Sequence, residues 1–138
     1  MSAITLQATY PAPKEAVWAY LVNNELLGKW CMPAKDFALA PGQCFTFESQ
    51  PSPFWDGRFY NTVIDFEAHE RLSYQCVAKK PALDTTVTWT LTEQDGKTTL
   101  ALEHSGFQGS DWLTKKMLAG GWKKMMCTNL AEIMEETR

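Results

Sequence analysis

The chain has 138 residues, of which 45% are hydrophobic and 21% charged, with a formal net charge of -3. That length suits one domain, 1–138, with a single core, and the slight acidity gives no general attraction to nucleic acid or anionic membranes. The start, MSAITLQATYPAP, has neither a basic nor an apolar signal region, and the longest apolar run, Ala16 to Val22, is too short for a bilayer. A cytoplasmic protein is expected.

In chain order, Ile4, Leu6, Ala8 and Tyr10 alternate with polar residues, the period-two pattern of a half-buried strand. Pro11 and Pro13 end it. Val17, Tyr20 and Leu21 then recur at helical intervals over Lys14 to Val22, and Asn23-Asn24 precedes a second short helix, Glu25 to Lys29. Phe37 to Ala40, the turn Pro41-Gly42 and Cys44 to Glu48 read as a hairpin with Phe45 and Phe47 on one face. The two prolines in Ser49 to Phe54 indicate a loop. Gly57 to Glu67 and Leu72 to Val77 form a second hairpin through His69-Glu70-Arg71. A third follows, in which Val87, Trp89 and Leu91 alternate with threonines, Gln94-Asp95-Gly96 turns the chain, and Leu100, Leu102 and His104 alternate back. Cys31, Cys44, Cys76 and Cys127 are scattered without a CxxC pair and are expected as reduced core thiols.

A long helix closes the chain, with Ser110 or Asp111 as its N-cap. At about 100° per residue, Leu118, Trp122, Met125, Met126, Leu130 and Ile133 share one side of it, with the polar Asn129 among them. Extending that stripe back through Gly120-Gly121 would enclose Lys115, so a kink or fresh start is expected at the glycines. Hairpins make neighbouring strands antiparallel. The fold class is therefore α+β: a curved antiparallel sheet of about six or seven strands around the long C-terminal helix, with two short helices after the first strand.

Seven words in this order resemble the START-like (SRPBCC) superfamily with its helix-grip fold, and within it the branch named for homologues of the activator of heat-shock protein 90 ATPase. They are Ala16-Val17-Trp18, Trp30-x-x-Pro33, Pro41-Gly42-x-x-Phe45, Glu70-Arg71-Leu72-x-Tyr74, Val87-x-Trp89-x-Leu91, His104-Ser105-Gly106-Phe107 and Gly121-Trp122. The resemblance spans essentially the whole chain. Asn129 departs from it, standing where the family usually carries an aliphatic residue. The superfamily hosts lipid binding, polyketide cyclisation and co-chaperone function on one scaffold, so the fold alone does not choose among them.

The residue types favour a small-molecule site between sheet and helix. Phe45, Phe47, Trp55, Phe59, Trp89, Phe107 and Trp122 with Met126 form a set rich in flat and flexible groups, suited to an apolar or aromatic ligand. Tyr74, His104 and Asn129 are the candidate polar contacts. Each has a plainer reading: His104 as a structural histidine satisfied by backbone near Gly106, and Tyr74 and Asn129 as partners of each other or of a trapped water. His104 and Ser105 point to opposite faces and cannot form a nucleophile–base pair, so an enzyme such as a cyclase or hydrolase is the least favoured reading. A co-chaperone-like module with a chaperone partner is the alternative that the resemblance implies. With two histidines and no clustered ligands, neither a metal nor another cofactor is expected.

Overall fold

The computed structural model describes residues 3–53, 55–79 and 82–136. Strand β1 (Ile4–Tyr10) buries Ile4 and Tyr10, as its alternation requires, and leads into helices α1 (Lys14–Val22) and α2 (Asn24–Trp30). Asn23 separates the helices, its side chain accepting from the Leu26 N–H as the N-cap of α2. Strands β2 (Ala34–Lys35), β3 (Cys44–Glu48), β4 (Arg58–Glu67), β5 (Arg71–Lys79), β6 (Ala82–Gln94) and β7 (Lys97–Ser105) follow. Together the seven make one curled antiparallel sheet in the order β1-β7-β6-β5-β4-β3-β2.

Local chemistry sets the hairpins and the curl. Asp95 (φ 56°) and Gly96 (φ 78°) both lie at positive φ, the type I′ geometry whose twist matches the strands it joins. In β4 the register shifts between Val63 and Asp65, leaving Ile64 bulged and exposed. Val63 and Phe66 would otherwise face opposite sides. The bulge lets both turn inward and bends the strand around the core.

One expected strand does not form. Phe37 to Ala40 is irregular, and β3 pairs instead with β2, Ala34 lying opposite Phe47. The chain turns at Asp36 (φ 69°), and the Asn24 side chain accepts from the Phe37 N–H at 2.9 Å and donates to its carbonyl at 3.3 Å. Asn24 thereby takes both backbone groups that a neighbouring strand would use, and the Phe37 ring packs onto Phe45. Of the expected loop Ser49 to Phe54, Phe54 lies outside the described residues.

The C-terminal helix begins with a 3₁₀ turn, Gly109–Asp111, where the Asp111 carboxylate accepts from the Gln108 N–H at 2.8 Å. Helix α3 (Trp112–Lys124) then runs unbroken through Gly120 and Gly121, against expectation. The irregularity falls later, in the π-helical segment Met125–Leu130, before α4 (Ala131–Glu136). The reason lies in the spacing of Trp122, Met126, Leu130 and Met134, all buried at intervals of four residues. In an α-helix each such step drifts by about 40° around the axis, and the stripe would soon leave the core. One wider π turn absorbs the drift. It also brings Met134 inward and leaves Ile133 half buried, reversing the order that an ideal wheel gives. The Tyr10 hydroxyl donates to the Met126 carbonyl at 2.7 Å, a partner for a backbone group inside the irregular turn.

The thiols are less uniform than expected. Among the free cysteines only Cys76 is buried; Cys31 is half buried, while Cys44 and Cys127 are exposed. Cys44 has the outward parity of β3, opposite to Phe45 and Phe47. Among the described residues no helix is long and apolar enough to cross a membrane.

Candidate functional site

Under the helix, the inner face of β5, β6 and β7 carries a saturated polar and aromatic cluster. Trp122 points inward, its ring edge-on to Trp89 at 5.3 Å, and Trp89 is edge-on to Trp30 at 5.9 Å. The Trp122 Nε1–H donates to His104 Nδ1 at 3.0 Å. That places the imidazole proton on Nε2, which donates to Thr85 Oγ1 at 2.8 Å, and the Thr85 hydroxyl in turn donates to the Cys76 carbonyl. His104 is thus satisfied by side chains rather than by backbone near Gly106. Burial lowers its pKa to about 4, keeping the ring neutral. Gly106 (φ 100°) allows this closeness: a Cβ there would stand 3.3 Å from the Thr85 Cα. Phe107 covers the imidazole with ring centroids 4.7 Å apart.

Toward β3 and β4 the interior is aromatic and less complete. Phe45 packs edge-on against Tyr74 at 5.2 Å and Phe47 at 5.6 Å, and the Tyr74 hydroxyl accepts from the Trp89 Nε1–H at 3.2 Å, joining the two clusters. Phe59 lies opposite Phe47 in register and is half buried, its ring 5.2 Å from that of the half-buried Trp55. The rings therefore step from a half-exposed rim to the buried middle of the sheet. Asn61, two residues after Phe59 on the same face, is only 2% exposed. Among the described residues, neither its Oδ1 nor its Nδ2 has a hydrogen-bond partner.

The sequence-predicted contacts therefore divide. Phe45, Phe47, Tyr74, Trp89, His104, Phe107 and Trp122 share the interior, and Trp55 and Phe59 form its rim. Met126 is buried, but its carbonyl serves Tyr10. Asn129 does not meet Tyr74; its amide donates to the Trp30 carbonyl at 3.2 Å, tying the helix to the end of α2. Beneath Trp122 the rings of Trp89 and His104 occupy the place where a hollow is expected. Among the described residues, hollows of about 480 and 380 Å³ lie elsewhere. One spans outward residues such as Thr5, Gln7, Thr88 and Glu103, and the other lies beside Phe107, Trp112 and Lys116. Sequence reasoning misses Asn61 and Thr85, although each has a signal: the inward parity of Phe59-x-Asn61-x-Val63 and of Thr85-x-Val87-x-Trp89.

Comparison with known proteins agrees with this architecture. A crystal structure of a Mesorhizobium loti protein superposes with a TM-score of 0.88 at 25% identity, covering 99% of each chain. The solution structure of the Aha1 dimer from Colwellia psychrerythraea gives a TM-score of 0.80 at 16% identity, covering 98% of this chain and 97% of that one. DynU16, from the dynemicin biosynthetic locus, gives 0.79 at 23% identity, over 100% of this chain and 49% of its own. No curated protein shows a significant sequence match. The family described as Activator of Hsp90 ATPase homolog 1-like protein matches residues 11–135, and the chain belongs to that family.

Proposed function

We propose that the protein binds a small apolar or aromatic molecule between the sheet and the C-terminal helix, on the β3–β5 side of the interior. The observation that carries this reading is the pair of half-exposed rings Trp55 and Phe59, with Phe59 opposite Phe47 in register, leading to the packed rings of Phe47, Phe45 and Tyr74. Flat rings meeting edge to face leave adaptable surface for another flat group, and a half-exposed rim offers it entry. Both nitrogens of His104 are engaged, which counts against that ring as a general base. No reaction is therefore assigned. Titration with aromatic compounds and apolar dyes, followed by tryptophan fluorescence, should give a saturable change that Phe59→Ala weakens. Silence across a broad panel would remove the reading.

A second reading, a chaperone-interaction module, is favoured by a separate surface. Trp112 and Met117 of α3 are 67% and 70% exposed, and Leu113 beside them is also open. Exposed large apolar groups close together on one helix are the kind of anchor that protein interfaces use. This reading predicts that a Hsp90-type chaperone ATPase is stimulated by the protein and less so by Trp112→Ser; absence of stimulation removes it.

A further inference from the structure

Asn61 lies on the inner face of β4, opposite Phe45 of β3 and Cys76 of β5. A carboxamide offers two donors and a carbonyl acceptor, and burying both ends without partners disfavours the folded state unless something else fills the need. Its inner-face neighbours are Phe45, Phe59, Val63 and Cys76, none with a formal charge. Burial pushes the Cys76 thiol up to about 12, so that neighbour stays neutral. Of the polar groups nearby, Thr85 is committed to the Cys76 carbonyl and His104, and the Tyr74 hydroxyl accepts from Trp89; neither bonds Asn61.

Resting on the small-ligand reading above, we infer that the ligand is a neutral aromatic lactam or carboxamide whose adjacent N–H and C=O pair with Oδ1 and Nδ2 of Asn61. A carboxylate would bring only acceptors and a charge that no cation among these neighbours meets. A plain hydrocarbon would leave the amide as unsatisfied as before. A planar amide edge supplies one donor and one acceptor at the spacing that a second amide needs. Its ring plane is suited to the half-exposed ring of Phe59, with Trp55 beside it at the point of entry.

The test compares 2-quinolinone, a bicyclic lactam, with naphthalene, a hydrocarbon of similar size, on the full chain and on Asn61→Leu, using fluorescence and calorimetric titration. The expected result is at least about tenfold tighter binding of 2-quinolinone than of naphthalene by the natural chain, with that preference lost in Asn61→Leu while naphthalene binding stays. Equal binding of both compounds, unchanged by the substitution, would overturn the lactam inference and leave the small-ligand reading standing. Binding of neither would remove both. Should Asn61→Leu fail to fold, the side-chain amide resonances of Asn61 decide in the natural protein. They should shift on adding 2-quinolinone and not naphthalene; contact with an ordered water and no response to the lactam would overturn the inference.

Discussion

The two halves of the sheet's inner face meet the same burial problem in different ways. On the β1, β7 and β6 side, under the helix, buried polar groups are paired across long stretches of chain: Tyr10 with the Met126 carbonyl, Thr98 with the Ala12 carbonyl, and His104 with Trp122 and Thr85. On the β3–β5 side, Asn61 keeps both ends of its amide unpaired, and Trp55 and Phe59 stay half exposed. The difference teaches that burial and satisfaction are separate matters. The saturated half holds the helix on the sheet, and the unsaturated half, where local consistency fails, is where a function is to be sought.

Four measurements would break or sharpen this contrast. The largest effect is expected for Trp122→Ala, which removes a buried ring and leaves His104 Nδ1 unpaired; urea denaturation at neutral pH should show a loss of about 3–5 kcal/mol. Trp55→Ala at the rim should cost far less, and equal costs would dissolve the distinction between the halves. Next comes acid. Burial holds the folded pKa of His104 at about 4 against the usual 6.5, so the unfolded chain takes up this proton first. Its contribution is complete above about pH 6.5 and fades as pH falls toward 4, by about 3 kcal/mol in all. A stability profile flat across that window, or one unchanged by His104→Asn, would contradict the saturated network. Tyr10→Phe should cost about 1–2 kcal/mol by leaving the Met126 carbonyl in the π segment without its partner. Hydrogen exchange should quicken most over Met125–Leu130. Smallest, and opposite in sign, Asn61→Leu should stabilise the protein by about 1 kcal/mol, because an apolar side chain of the same branching replaces an unpaired buried amide. A loss of stability there would show that the amide already has a partner.

Much of the architecture was legible because it depends on short-range rules. The alternation in β1 and β6, the Asp95-Gly96 turn and the inward side of the last helix follow from period and turn chemistry. The site was less legible. The parity of His104 placed it inward, yet nothing in its neighbours along the chain says that Trp122 and Thr85 would take both of its nitrogens. Asn61 carries the same parity signal, but between Phe59 and Val63 the alternation alone does not distinguish it from a core position. The wheel places Asn129 in the apolar stripe, whereas it bonds to Trp30, whose carbonyl arrives at the end of a different helix.

The sequence by itself determined β1, the strands from β3 to β7, the turn that joins β6 to β7 and which residues of each element are apolar, since these rest on spacing within a few residues. The tertiary structure alone decided that Ala34–Lys35 rather than Phe37–Ala40 joins β3, that the last helix widens at Met125–Leu130 rather than at the glycines, and that His104 is satisfied while Asn61 is not. Each outcome turns on a partner that only folding brings near: Asn24 reaches Phe37 across 13 positions, and Tyr10 reaches Met126 across 116. A hydrogen bond needs its two atoms within about 3 Å, and no local pattern states who will arrive there.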